Sequence, residues 1–396
     1  MPDTSLRKTF KEKLRPTPPQ EWELEAVLWR CRTLYNTALE QRIIAWGRCR
    51  VAVSRFQQEA ELKEMRAEFP EYAALHSHVL QDVLARLDKT YQAFFRRVKA
   101  GEKPGFPRFK GRNRWHSFTF KEYGNGARLD NGALVLAMIG RINVHWSRPI
   151  EGTPKTVAVS KEADGWYVSF SCAEVPVHPL PPTGQETGID LGLESFATLA
   201  NGQPILNPRH YRKAEASLRR CQRRVARRKK GSHRRRKAVK LLARAQQHVR
   251  RQRQDFHHKE ALKLVRSYDT VYHEDLQVRN LVKNHHLAKR ISDAGWGAFL
   301  AILTFKAASA GKRVVAVNPA FTSQACSGCG VLVQKGLSVR WHACPDCGTS
   351  LHRDHNAARN ILRLGQLGQK QSGPGYGPRT PTWPVGASVV REPMGL

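Results

Sequence analysis

Cys326-Ser-Gly-Cys329-Gly, Cys344-Pro-Asp-Cys347-Gly and Asp354-His-Asn356-Ala-Ala-Arg-Asn360-Ile follow one another near the end of the chain. The two C-x2-C pairs supply four soft thiolates, the ligand set that suits tetrahedral zinc. A glycine follows each pair and can adopt the left-handed conformation that a knuckle turn needs. Four unrelated thiols are the alternative, but paired spacing together with paired glycine favours a metal site.

The spacing of the cysteine pairs indicates what the metal does. Residues 330–343 separate the pairs, slightly fewer than is usual, so we expect a compact zinc ribbon over residues 322–351. A closed four-cysteine site is structural, so the metal is expected to fold a small module and to take no part in chemistry. We predict one Zn²⁺, with iron as the alternative metal, and the ligands Cys326, Cys329, Cys344 and Cys347.

The composition indicates a polyanionic partner. The chain has 396 residues and a net charge of +34, from 67 Lys and Arg against 33 Asp and Glu. Nucleic acid is the partner that best neutralises such an excess, and an acidic membrane surface is the rival. No apolar run is long enough for a membrane span, and the N-terminus lacks a secretory apolar core. The other four cysteines are scattered, as in reduced proteins. We therefore expect a cytoplasmic protein without membrane contact.

The first part of the chain predicts a small β-barrel interrupted by helices. Residues 5–15 read as a strand, and apolar residues at 3.6-residue spacing then predict about four helices within residues 19–102. Short strands separated by turns such as Asp130-Asn131-Gly132 follow within residues 103–180. We expect residues 1–18 and 103–180 to form the barrel, with the helical bundle as an insertion.

A basic, aromatic segment joins the helices to the later strands. It reads Lys103-Pro-Gly-Phe106-Pro-Arg108-Phe109-Lys110. Cations beside aromatic faces can contact a nucleic-acid backbone and stack on bases. We predict nucleic-acid contacts for Phe106, Arg108 and Lys110. A turn with core aromatics is the alternative for Phe106 and Phe109.

After a proline-rich linker, residues 184–364 alternate strands with helices, as an α/β domain does. Within residues 209–253, 20 of 45 residues are Lys or Arg, and an apolar stripe predicts two basic helices hinged near Gly231. A solvated charged face is the alternative, but so many unpaired cations favour phosphate contacts. We expect these phosphate contacts from Arg223, Arg227, Arg228, Lys229 and Lys230.

A helix is expected from Asp293 to Ala310, and another from Asp354 to about Leu364. Residues 365–396 are expected to be a disordered tail.

Three carboxylates lie at the ends of core elements of this domain. Asp190 is in an apolar strand, Glu274 ends another strand, and Asp354 begins a helix. Each could be a helix cap or a turn residue on its own. Together they match a divalent-metal site, in which two Mg²⁺ ions roughly 4 Å apart stabilise the oxygens of a cleaved phosphodiester. We predict that Asp190, Glu274 and Asp354 bind magnesium and are catalytic.

These motifs resemble the TnpB (OrfB) family of insertion sequences. The resemblance rests on Gly188-Ile-Asp190-Leu-Gly192, Glu274-Asp-Leu276, the cysteine ribbon and the segment that begins at Asp354, in family order. Ile291-Ser-Asp-Ala-Gly-Trp-Gly-Ala-Phe299 and Gly105-Phe-Pro-Arg-Phe109 are similar too. The pattern departs from the family at His352, where an acidic residue is common.

The resemblance implies a RuvC-like nuclease of RNase H fold, related to type V CRISPR effectors. The barrel then resembles a wedge domain and the inserted helices a recognition domain, within an α+β multidomain chain. The implied activity is RNA-guided cleavage of double-stranded target DNA beside a short adjacent motif, with one chain per transposon-encoded guide RNA. A nuclease-inactive RNA-guided regulator and a strand-transferring transposase are the alternative functions.

Overall fold

The computed structural model describes residues 5–112, 114–336 and 338–371. The chain divides into two compact units, Met1–Pro176 and Val177–Leu396. The mixed α+β fold expected from the sequence is confirmed. In the part of the chain just given, no helix is both long enough and apolar enough to cross a membrane.

The first unit combines a seven-stranded sheet with a group of helices inserted after the first strand. Its strands are β1 (Ser5–Arg15), β2 (Ser117–Phe120), β3 (Ala127–Asp130), β4 (Ala133–Leu136), β5 (Gly140–His145), β6 (Thr153–Glu162) and β7 (Gly165–Pro176). The strand order is β2-β6-β7-β1-β5-β4-β3, and all neighbours are antiparallel. β1 therefore lies in the middle of the sheet, between strands that come more than 100 residues later.

The core of this unit follows from the alternation of side chains along the strands. Phe10, Phe118 and Phe170 are each 1% exposed or less, and the ring of Trp146 stacks on Phe170. Such alternation buries one face of each strand. Glu12 is buried among them, and its carboxylate accepts hydrogen bonds from the amide and hydroxyl of Ser147. A buried charge is tolerated when it is bonded in this way.

The inserted helices are α1 (Pro18–Cys49), α2 (Arg55–Ala60), α3 (Leu62–Glu68), α4 (Pro70–Ala73) and α5 (Ser77–Lys99). α1 begins with Pro18 at its first position and a capping box between Thr17 and Gln20. The apolar stripes of α1 and α5, which include Leu24 and Leu84, are buried. The sequence predicted about four helices because the short helices between residues 50 and 76 have no clear apolar period.

The second unit is built on a five-stranded sheet with the order β10-β9-β8-β11-β12. Its strands are β8 (Glu186–Leu191), β9 (Ser195–Leu199), β10 (Pro204–Leu206), β11 (Thr270–Glu274) and β12 (Arg313–Val317). β8, β9 and β10 are antiparallel neighbours, whereas β11 is parallel to both β8 and β12. Long helical connections join the parallel strands, as parallel pairing requires.

The helices of this unit are α6 (His210–Ala226), α7 (His233–Ser267), α8 (Val278–Leu281), α9 (His285–Ala294), α10 (Trp296–Ser309) and α11 (Arg353–Gln371). A short hairpin of β13 (Trp341–Ala343) and β14 (Ser350–His352) precedes α11. The two basic helices meet near Gly231, but the second continues to Ser267, well beyond the basic segment.

Two predicted boundaries are wrong. The helix expected from Asp293 is divided, because Gly295 adopts a left-handed conformation that ends α9 and lets α10 begin at Trp296. The final helix continues to Gln371, so residues 365–371 are helical and not part of a disordered tail. Gly365 and Leu364 pack against the sheet, which extends the helix. Residues 372–396 of the expected tail lie outside the described residues.

Candidate functional site

The three predicted carboxylates lie on three different elements of the second unit. Asp190 is the fifth residue of β8, Glu274 is the last residue of β11, and Asp354 is the second residue of α11. β8 and β11 are parallel neighbours with Ile189 opposite His273, so Asp190 and Glu274 come next along the two strands. The carboxyl ends of parallel strands are where α/β sheets usually hold ligands.

Two glycines allow α11 to lie directly on the sheet. A Cβ atom at Gly188 would lie 2.3 Å from the carbonyl oxygen of Ala358 and 2.6 Å from the amide nitrogen of Leu362. A Cβ atom at Gly365 would lie 2.0 Å from the ring of Tyr272. Only residues without a side chain fit such an approach. The close contact places the N-terminus of α11 at the strand ends, where a Cβ built on Gly192 would lie 3.8 Å from Asp354 Oδ2.

The pKa of Asp190 responds to burial and to the two other carboxylates. Burial raises the pKa of Asp190 well above its usual value, the negative charges of Glu274 and Asp354 raise it further, and Arg353 opposes the shift. Burial also raises the pKa of Glu274, while a hydrogen bond from Thr322 opposes that shift. Adjacent buried carboxylates are costly when ionised. A divalent cation would offset this cost, so the oxygen-rich set fits Mg²⁺.

The carboxylates are nevertheless not gathered tightly. Throughout residues 5–112, 114–336 and 338–371, the only group of three or more Cys, His, Asp or Glu ligand atoms all within 4.8 Å of one another is the cysteine cluster. A two-metal site has ions roughly 4 Å apart, so ligands on opposite sides of the pair lie farther apart than this limit. The structure thus brings the three carboxylates into one region, in an open arrangement.

The site includes residues to which sequence reasoning assigned no role. The hydroxyl of Thr322 donates a hydrogen bond to Glu274 Oε1. Asn356 and Asn360, one turn apart on α11, are fully buried, and both donate to the carbonyl oxygen of Ala325 at 2.7 Å. Asn356 Oδ1 also accepts from the amide of Ser327 at 2.9 Å. The same helix that holds Asp354 is therefore bonded to the first cysteine knuckle. The i, i+4 spacing of the two asparagines could have indicated from the sequence that they share one face of the helix. No sequence pattern marks Thr322.

Two histidines lie beside Asp354. The amide of Asp354 donates to His352 Nδ1 at 3.3 Å, and this nitrogen lies 3.9 Å from Asp354 Oδ2. Nε2 of His355 is 3.0 Å from the carbonyl oxygen of Ala200. The first histidine is the residue that was expected from the sequence to differ from the resembled family. The second fixes the start of α11 to the turn after β9.

The four predicted cysteines form one compact cluster. The sulfurs of Cys326 and Cys347 are 3.6 Å apart, and those of Cys329 and Cys344 are 3.5 Å apart. Tetrahedral zinc with Zn–S bonds of about 2.3 Å requires sulfurs about 3.8 Å apart. The hydroxyl of Thr349 lowers the pKa of Cys347 to about 6. Burial would raise the pKa of Cys326, but amide hydrogen bonds and His342 outweigh it and lower that pKa to about 7. The cluster is suited to a tetrahedral metal ion.

The cations predicted to contact nucleic acid on the basic helices are exposed. Arg223 lies on the last turn of α6, and Arg227, Arg228, Lys229 and Lys230 follow in the connection to α7. The guanidinium of Arg235 donates to the carbonyl oxygens of Val225 and Arg228 at 2.6 and 2.9 Å. This side chain provides hydrogen-bond donors for carbonyl oxygens at the C-terminal end of α6, and it thereby orders the connection to α7. The neighbouring cations are left pointing to solvent, where phosphates can reach them.

The basic, aromatic segment of the first unit is ordered by α1 and α5. The amide of Lys110 donates to Asn36 Oδ1 at 2.7 Å, and the Lys110 ammonium lies over the ring of Tyr35. The ring of Phe106 contacts Tyr91 and Phe94 edge to face, yet half of its surface is exposed. Arg108 is exposed. The ring of Phe106 therefore packs against α5 on one side and remains exposed to solvent on the other.

Comparisons with known proteins identify relatives along almost the whole chain. A family model described as "Probable transposase" (OrfB_IS605) matches residues 169–285, and one described as "Cas12f1-like, TNB domain" matches residues 296–361. A Streptomyces pristinaespiralis protein named "Putative RNA-guided DNA endonuclease" is 38% identical over 98% of this chain and 96% of its own length. The Escherichia coli (strain K12) protein of the same name, InsQ, is 29% identical over 90% of this chain and 92% of its own.

A search of solved structures gives more distant similarity. The structure of the mini-RNA-guided endonuclease CRISPR-Cas_phi3 is 12% identical, covers 94% of this chain and 94% of its own, and has a TM-score of 0.46.

Proposed function

The chain belongs to the TnpB (OrfB) family of transposon-encoded RNA-guided endonucleases, and from this premise we propose that it hydrolyses DNA phosphodiester bonds at sites chosen by a guide RNA. The target would be double-stranded DNA that pairs with the guide and carries a short adjacent motif. The observation that carries this proposal is that Asp190, Glu274 and Asp354 lie at one edge of the sheet, where burial and then the charges of the other two carboxylates raise the pKa of Asp190.

We assign the second unit to a RuvC-like nuclease domain of RNase H fold. An antiparallel hairpin that leads into parallel strands, with a helix laid across them, supports this assignment. In the first unit, the seven-stranded sheet would be the barrel of a wedge domain, and the inserted helices would be a recognition domain. The cysteine cluster would hold one structural Zn²⁺.

The carboxylates would act as the catalytic ligands. When bound, two Mg²⁺ ions would neutralise charge on the attacking and leaving oxygens of the phosphodiester. Asp190, whose pKa is raised by burial and then by the charges of Glu274 and Asp354, would be one of these ligands. Thr322 would hold Glu274 Oε1 in one orientation, and the close packing of α11 would fix Asp354. Because burial raises the pKa of Asp190 and Glu274, protons would compete with the metal at low pH.

The basic surfaces would hold the nucleic acids. The exposed cations Arg223, Arg227, Arg228, Lys229 and Lys230 would bind phosphates, and Phe106, Arg108 and Lys110 would contact the backbone or stack on a base. One chain would bind one guide RNA, which would neutralise much of the +34 charge. We place this activity in the prokaryotic cytoplasm, where guide and target occur.

A guide-rewriting experiment tests the function. The protein is purified with its copurifying RNA, the guide segment is replaced, and cleavage of matching DNA is measured with Mg²⁺. Cleavage should follow the new guide when the adjacent motif is kept. Binding without a cut would indicate a regulator, and joined ends would indicate a transposase. Cleavage that persists at the old site, or after RNase treatment, would contradict RNA guidance.

The basic helices are tested separately by salt dependence. Replacing Arg223, Arg227 and Arg228 with Gln should weaken nucleic-acid binding similarly for all sequences. It should also reduce the slope of log K against log salt by roughly 0.7 to 0.9 for each lost phosphate contact. Lys263→Gln, at an exposed lysine paired with Glu260, is the control. An unchanged slope in the triple variant would show that these side chains only face solvent.

A further inference from the structure

A cavity of about 160 Å³ opens beside the start of α6. It is lined by Leu193, Asn207, Arg209, Arg212, Arg290 and Asp293. Three of these six residues are arginines, which come from the residue before α6, its first turn and α9. Since a water molecule's share of liquid volume is about 30 Å³, the cavity has room for a phosphate group and its hydration.

The acidic residue that lines the cavity is already fully engaged. Asp293 Oδ1 accepts from the amide of Tyr211 at 2.9 Å and from Arg253 Nη2 at 3.3 Å, and Oδ2 accepts from the amide of Arg212 at 3.3 Å. Asp293 thus bonds to the N-terminus of α6 and to a cation of α7. Within the described ranges, the structure shows no ion pair for Arg209, Arg212 or Arg290. These guanidinium groups therefore leave an unbalanced positive charge around the cavity.

The cavity adjoins the carboxylate site. Leu193 follows Gly192, and a Cβ built on Gly192 would lie 3.8 Å from Asp354 Oδ2. With consecutive Cα atoms 3.8 Å apart, the Cα of Leu193 lies within about 9 Å of that oxygen. Asn207 ties Arg209 to this wall, because its side-chain amide donates to the carbonyl of Leu193 at 3.2 Å and its Oδ1 accepts from the backbone amide of Arg209 at 3.1 Å.

We propose that this cavity binds a backbone phosphate of the target DNA strand close to the bond that is cut, with Arg209, Arg212 and Arg290 as the donors. The inference rests on the proposed function and extends it by assigning residues that position the substrate. Arginine suits the task because its planar guanidinium can bind phosphate oxygens in a bidentate manner. The wall at Leu193, whose Cα lies within about 9 Å of Asp354 Oδ2, places the cavity beside the proposed cleavage site and favours DNA over guide RNA, since the cleaved bond belongs to DNA. Holding a neighbouring phosphate would align the scissile one with the carboxylates.

The first test separates positioning from binding. Arg212→Gln with Arg290→Gln should slow single-turnover cleavage by roughly 10- to 100-fold, the range expected when a substrate is slightly misplaced. Binding of guide and target should change much less. Lys259→Gln, at an exposed lysine of α7 paired with Asp255, removes one charge outside the cavity and should cleave normally. Cleavage by the double variant at the control rate would overturn the proposal, as would an equal loss of target binding.

The second test locates the phosphate. Single neutral methylphosphonate linkages are placed at successive positions around the cut, and cleavage is compared between wild type and the double variant. At one position the neutral linkage should slow cleavage by the wild type but not by the double variant. This is expected because the neutral linkage and the arginine substitutions would remove the same arginine–phosphate contact. Additive effects at every position would overturn the proposal, and so would coupling found only with neutral linkages in the guide RNA. Failure of the proposed function would appear instead in the wild type, which would then not cut guided DNA.

Discussion

The cysteine cluster and the carboxylate site differ in how closely their ligand atoms are gathered. The cluster comes from one local segment, and its sulfur atoms all lie within 4.8 Å of one another. The carboxylates come from β8, β11 and α11, and they form an open group in which burial and then the neighbouring charges raise the pKa of Asp190. Backbone hydrogen bonds within the segment hold the cysteine knuckles, as where the amides of Gly330 and Gly348 donate to the carbonyls of Cys326 and Cys344, whereas ionised carboxylates on separate elements repel. The scaffold around the carboxylates must therefore hold them near one another against that repulsion.

The two sites are also joined by hydrogen bonds. Asn356 and Asn360 bond α11 to the knuckle around Ala325, and Thr322 bonds the beginning of the same segment to Glu274. The locally assembled ribbon therefore contacts two of the three elements that hold the carboxylates. This arrangement indicates that the ribbon helps to hold the open site together.

Loss of the proposed zinc ligand set should have the largest effect. Cys344→Ser should remove about one zinc per chain, expose residues 322–351 to protease and abolish cleavage. Structural zinc supplies folding free energy directly, about 10 kcal/mol or more in isolated zinc-finger peptides. Metal analysis and limited proteolysis measure both effects. Cys49→Ser, at an exposed cysteine outside the cluster, should change neither, and a zinc-free variant that folds and cuts normally would refute a folding role.

Removal of one proposed catalytic carboxylate should have the next largest effect. Glu274→Gln should lower cleavage by roughly 10³-fold, since metal ions contribute several kcal/mol to transition-state stabilisation. Asp275→Asn is the matched control, because Asp275 is adjacent but exposed. Guide and target binding should remain in both. Equal cleavage by the two variants would show that Glu274 is not a metal ligand.

Burial and charge repulsion at the carboxylate site predict that replacing one carboxylate with a neutral side chain increases the stability of the protein. The folded-state pKa of Asp190 is raised, so its ionisation opposes folding at pH values above its unfolded pKa. Without added Mg²⁺, stability should thus fall as pH rises through the folded pKa. Asp190→Asn should raise the melting temperature at neutral pH and flatten this dependence, while cleavage is lost. Thermal melts at several pH values measure the effect, and a lower melting temperature at every pH would contradict it.

A substitution that disrupts the contact between α11 and β8 should have the next largest effect. Gly188→Ala places a methyl group 2.3 Å from the backbone of Ala358, which must move. Overpacking of this kind typically costs about 1–3 kcal/mol, and the shift should also displace Asp354 and slow cleavage. Gly297→Ala is the control, since a Cβ there meets nothing within 4 Å. Denaturant unfolding and cleavage rates report the two effects, and unchanged values for Gly188→Ala would show that the helix is free to adjust.

Features that a short segment determines could be predicted from sequence, and features that depend on packing could not. The cysteine spacing predicted the compact cluster, and strand ends predicted the places of Asp190 and Glu274. The helix break at Gly295 was missed because apolar periodicity continues across it. The extension of α11 was missed because Gly365 reads as a helix breaker, whereas here its missing side chain makes room for Tyr272. The arginine-lined cavity combines segments about 80 residues apart, such as Arg212 and Arg290.

The smallest effect tests the bond that joins the ribbon to the carboxylate site. Thr322→Val keeps the shape of the side chain but removes the hydrogen bond to Glu274. One such bond to a charged group contributes about 1.5–3 kcal/mol, so cleavage should fall about 10-fold or more at limiting Mg²⁺. Because this bond lowers the pKa of Glu274, its loss should raise that pKa further. The low-pH limb of cleavage should then move to higher pH. Thr322→Ser should restore both properties, whereas equal losses in the Val and Ser variants would show that Thr322 contributes by packing alone.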